Sequence, residues 1–141
     1  MTTMTATTEV GGTRTWAFPR RLQFIPETRH RVEAQLLTWK RPPETVDAAM
    51  LIVTELVTNA VEHTDAADII CTVSLRSDVV TVSVTDTDTD TGAFTHSAPV
   101  PALPDDLEES GRGLFLVSAL ATDWGTRLTA GSREVWACLA S

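Results

Sequence analysis

Between Asp47 and Asp65 the apolar residues Met50, Val53, Leu56, Val57, Ala60 and Val61 recur at intervals of one, three and four. That spacing draws the stripe of an amphipathic helix with one buried face, and it predicts a helix over about 44–63. A weaker stripe, Val32, Leu36 and Leu37, predicts another over 26–40, with Pro26 near its start and Arg29 and Arg31 more exposed. Arg41-Pro42-Pro43 separates the two. The period then falls to two. Residues 69–76 and 79–86 alternate apolar and polar side chains, with Ser77-Asp78 between them, which predicts a hairpin with a tight turn. Residues 15–19 make a short strand closed by Pro19. An almost wholly apolar run at 114–121 predicts a short helix, and 124–129 with 134–140 a closing strand pair around Gly131-Ser132.

Two stretches carry no period. Residues 1–14, rich in Thr and Gly, read as a flexible tail. Residues 85–109 contain Gly92, Pro99, Pro101, Pro104 and seven acidic residues. An aperiodic stretch of that length inside a compact domain is usually functional or disordered, and its place between two ordered halves suits a ligand-covering loop over about 87–110. The element order is strand, helix, helix, hairpin, long loop, short helix, hairpin. It predicts an α+β fold in one domain, 15–141. The expected architecture is a two-layer α/β sandwich, with helices packed on one face of a mostly antiparallel, mixed sheet.

The bulk numbers narrow the function. A chain of 141 residues is long enough to bury a real core. The net charge of −8 argues against a dedicated nucleic-acid binder, which normally carries a basic footprint. No apolar run reaches the length of a membrane span, and the first fifteen residues show no apolar signal segment. The expectation is therefore a cytoplasmic protein, with Cys71 and Cys138 as a reduced pair in strands.

Glu55 and Asn59 lie one helical turn apart, so a carboxylate and a carboxamide share a side of the main helix. A base and a metal-orienting amide need such rigid support, although spacing alone favours a solvated helix face. His63 is one turn further on. It suggests a metal triad, but no second histidine stands at helical spacing, and a histidine at a helix C-terminus more often just complements the dipole. Asp86 ends a strand, where a carboxylate can accept a hydrogen bond from an exocyclic amine. The alternation Asp86, Asp88, Asp90 also resembles the start of a calcium loop. There, however, the glycine comes one place late and the twelfth position is Ser97. Gly111-Arg112-Gly113 opens the short apolar helix. Helix N-terminal amides with glycines beside them can receive a phosphate, and Arg112 adds charge. Taken singly, two glycines before a helix are more often a turn.

In order along the chain these blocks resemble the GHKL, or Bergerat-fold, ATPase superfamily. Within it they are most similar to bacterial anti-sigma-factor serine/threonine kinases and their stand-alone actinobacterial relatives. The carrying residues are Glu55-LVTNAVEHT, Val84-Thr-Asp86, Glu109-SGRGLFLVSAL and the closing Asp123-WG with VWACL. The resemblance implies ATP and Mg²⁺ as cofactors. It makes Glu55 the general base, Asn59 the Mg²⁺ ligand and Asp86 the adenine-amine acceptor. Gly111, Arg112 and Gly113 become a phosphate wrap, and the loop before them an ATP lid. His63 and Leu114 complete the expected nucleotide-binding set. It also implies a STAS-type anti-anti-sigma protein as phosphate acceptor, a sigma factor as sequestered partner, and a homodimer, with no direct nucleic-acid or membrane contact. Asp88 stands where the family often has glycine. Two other readings remain: a non-catalytic nucleotide-sensing interaction module, and a histidine-kinase-like ATPase domain acting in trans.

Overall fold

The computed structural model describes residues 5–10, 12–63, 68–87, 116–129 and 131–140; residues 5–10, His63, Thr87 and Thr129 are described by their backbone alone. The strands are β1 Thr5–Val10, β2 Thr13–Pro19, β3 Asp68–Arg76, β4 Val79–Thr87, β5 Asp123–Thr129 and β6 Ser132–Ala140. They form one sheet in the order β1-β2-β3-β4-β6-β5. Every pairing among the described strands is antiparallel. Two helices, α1 Phe24–Thr38 and α2 Pro43–His63, cover one face. The two-layer α+β sandwich read from the periodicity is the observed fold.

Each helix boundary has a local cause. Pro43 opens α2, where its missing N–H costs nothing, and Glu44 in the first turn complements the dipole. At the end of α1, Lys40 takes φ 59°. Its N–H donates to the Leu37 carbonyl at 3.0 Å, and the Arg41 N–H to that of Leu36 at 3.1 Å. This is a Schellman closure built without glycine. The β3–β4 turn places Ser77 and Asp78 at φ 48° and 64°, the doubly left-handed geometry of a two-residue hairpin. Asp78 also accepts from Arg41 Nη1 at 3.1 Å, which ties the hairpin tip to the α1–α2 connection.

The core lies between α2 and the central strands. All six stripe residues of α2 are buried, and Val46, Ala49 and Ile52 join them. From the sheet come Trp16 and Phe18, Ile69, Cys71 and Val73, Val80, Val82 and Val84, and Val135, Ala137 and Leu139. Each set keeps the period of two. Register stacks them in rows: Phe18 opposite Ile69, then Asp86, then Arg133; Trp16 opposite Cys71, then Val84, then Val135. Burial pushes the Cys71 thiol up to about 12, so it is an inert small hydrophobe. Cys138 alternates with the core residues of β6 and bonds Thr81 on the open face, so the sheet separates the two free thiols.

The sequence expectation differs from the structure at one end. The tail expected over 1–14 contains β1, paired with β2 through Thr5–Ala17 to Val10–Thr13. Its β-branched threonines suit an edge strand although no apolar alternation marks it. Gly12 sits at the turn between them, with its carbonyl accepting from the Leu75 N–H at 2.7 Å. Residues 116–120 are helical, within the predicted apolar run, and Val117 enters the core. No described helix is long and apolar enough to cross a membrane.

Candidate functional site

The C-terminal half of α2 and the C-terminal end of β4 lie at the same end of the molecule. Arg20 directly follows β2, and its Nη1 donates to the Val61 carbonyl of α2 at 3.2 Å. Pro19 is in register with Asp68, and Ile69 with Asp86. The turn of α2 that carries Asn59 therefore belongs to the sheet end that carries Asp86.

Asn59 is only 8% exposed. A solvated helix face would leave it open; here a carboxamide has been drawn into the layer between Leu56 and Ala60, both of which are buried. Glu55, one turn earlier, is half-buried. Burial raises its carboxyl above the ordinary glutamate range, and the neighbouring charge of Glu62 raises it further. A carboxylate so placed holds a proton more readily than a surface one, which is the property required of a proton acceptor.

Asp86 continues the buried row of β4, after Val80, Val82 and Val84, at 2% exposure. Its Oδ2 accepts from Arg133 Nη2 at 3.3 Å. Its Oδ1 is buried and, among the described residues, has no hydrogen-bond partner. Burial pushes this carboxyl up, while the charge of Arg133 and its hydrogen bond pull it back. An orphaned buried acceptor costs about 1–3 kcal/mol. A site that keeps such an acceptor is prepared for a donor from outside the chain, and the exocyclic amine of a purine is one. The buried carboxamide of Asn59 supplies a hard oxygen of the kind Mg²⁺ takes alongside phosphates and waters. The residues present fit both expected groups.

His63 is the last residue of α2, and its side chain lies outside the described residues. So do Gly111, Arg112, Gly113 and Leu114, together with Asp88 and all but the first residue of the expected lid at 87–110. The structure brings Glu55, Asn59 and Asp86 toward one end of the sandwich. It adds Arg133, which the sequence reading did not single out. A signal was available: Arg133 shares its parity with Val135, Ala137 and Leu139, so a cation begins an inward-facing row. Only the β4–β6 register, Asp86 opposite Arg133, shows what it meets.

Comparison with known families places the domain. Residues 18–139 match the model of the histidine kinase-like ATPase domain. The match spans most of the chain, and the chain belongs to that family. No curated protein matches it.

Proposed function

We propose that this ATP-binding, histidine kinase-like domain is a serine/threonine protein kinase of the anti-sigma type. In this reading it phosphorylates a STAS-type antagonist protein and sequesters a sigma factor. The observation that carries the catalytic part is Glu55: a half-buried carboxylate with a raised pKa, one turn from a buried carboxamide on a rigid helix. A helix that only bound nucleotide would have no need of it.

When bound, Mg-ATP supplies the transferable phosphoryl group and the charge neutralisation that such transfer depends on. The chain's own residues divide the remaining work. Asp86 Oδ1 accepts a hydrogen bond from the adenine amine. Asn59 offers its carboxamide oxygen to the metal. Glu55 takes the proton of the partner's attacking hydroxyl. Positioning by a core-packed helix and a strand end keeps these groups fixed, which is where catalysis of this kind gains most. The test is transfer of labelled γ-phosphate to a cognate STAS-type protein. Wild type transfers, and Glu55→Ala loses about a hundredfold or more in rate while still binding nucleotide. Equal rates would remove Glu55 from the role of base.

A second reading, a nucleotide-sensing module that acts only by protein contact, is favoured by Asp88. It places a side chain and a charge where the related kinases often have glycine. Binding of Mg-ATP without transfer to any STAS-type partner would select that reading.

A further inference from the structure

We propose that Arg133 is a positioning residue for nucleotide recognition: it engages Asp86 Oδ2 so that Oδ1 is held ready for the exocyclic amine of the base. The proposal rests on Asp86 being the base acceptor and names what keeps it in that role.

Three observations carry it. First, the pair is built into the sheet: Asp86 and Arg133 are directly opposed in the β4–β6 register, so both side chains leave the same face of adjacent strands. Second, the contact is buried, with the side chains 2% and 11% exposed and Nη2 to Oδ2 at 3.3 Å. Third, the two oxygens are not equivalent. One has the guanidinium; the other is buried with no partner among the described residues. A carboxylate free to rotate would present either oxygen, or turn toward solvent. A guanidinium on one oxygen fixes the plane and leaves a single acceptor.

The pairing also acts on the protonation state, against the larger upward push of burial. Among the described residues around Asp86, β3 places the apolar Ile69 opposite, and the charge acting on the carboxylate is that of Arg133. Burial alone favours the neutral acid, whose proton would compete with the incoming amine. Arg133 opposes this in part and favours the ionised acceptor.

The experiment compares wild type with Arg133→Gln, Arg133→Lys and Arg133→Ala, each first checked for cooperative thermal unfolding. Two readouts are taken: ADP affinity by calorimetry, and titration of the Asp86 carboxyl carbon by NMR without nucleotide. The expected result is ADP binding weakened about tenfold or more in Arg133→Gln and Arg133→Ala. The Asp86 titration moves to higher pH in both, and Arg133→Lys restores part of each. Unchanged ADP affinity in a folded Arg133→Gln, or an Asp86 titration that does not move, overturns the proposal. The carboxyl titration reads Arg133 without any ligand. Wild type that fails to bind ADP would instead overturn the assignment of Asp86 as base acceptor, and this inference with it.

Discussion

Replacing Asp86 and Arg133 together by Val and Leu should leave the fold as stable as wild type or more so, and abolish nucleotide binding. The pair interrupts an otherwise apolar layer: Val80, Val82 and Val84 lead up to Asp86, and Val135, Ala137 and Leu139 run down from Arg133. Taking both charges out of water costs several kcal/mol per ion, repaid only where geometry is good and every lone pair is satisfied. Here the Arg133–Asp86 contact is 3.3 Å and, among the described residues, Oδ1 is orphaned, which adds about 1–3 kcal/mol of unrecovered desolvation. Apolar replacement of such pairs is neutral or stabilising by about 1–4 kcal/mol, while removing one partner costs about 3–5 kcal/mol. Arg133→Leu and Asp86→Val should therefore each destabilise strongly. The double Val/Leu variant should recover the loss, giving a coupling well above the ~0.5 kcal/mol expected of independent sites. Urea unfolding of the four proteins at neutral pH measures this. A double variant as unstable as the sum of its singles would refute the view that the pair is retained for binding at the expense of stability.

Other outcomes follow from the same structure. Because Glu55 is raised above the ordinary glutamate range, first by burial and then by Glu62, folding favours its protonated form. Its favourable contribution is present below the unfolded pKa and is lost as pH rises through the folded one. Glu55→Gln should therefore raise Tm at neutral pH relative to wild type, with the advantage vanishing in acid. The acid limb of phosphotransfer should sit above the usual carboxylate range and move down in Glu62→Gln; a limb that does not move would detach it from Glu55. Lys40→Gly relieves a left-handed non-glycine position at a helix terminus and should stabilise by about 0.5–1 kcal/mol by thermal melt. Gly12→Ala places a Cβ 2.5 Å from the backbone oxygen of Leu75. That contact yields only by moving backbone, and unfolding should show about 1–3 kcal/mol lost.

The fold was legible because most of its elements carry a clean period. The α2 stripe and the alternation of β3 and β4 each follow from one face meeting the core, and Ser77-Asp78 follows from the length of the gap between the strands. β1 was not legible: an edge strand of threonines has no apolar row to announce it. Within the site, the pairing of Glu55 with Asn59 could be read from helical spacing. The burial of Asn59 could not, since it depends on how deep α2 sits over the sheet. Arg133 was hidden for a related reason. Its partner lies 47 positions away, and only strand order, with β4 beside β6, brings them together. Residues adjacent through a crossover in sheet order leave no local trace.

If the end of α2 and the end of β4 form one nucleotide site, binding needs both. Calorimetric titration with Mg-ATP of wild type, Asn59→Ala and Asp86→Asn tests it most directly. Wild type should bind saturably, and each variant should lose about tenfold or more in affinity, with cooperative unfolding retained. No heat at millimolar nucleotide, or binding that both variants keep at full strength, would contradict it.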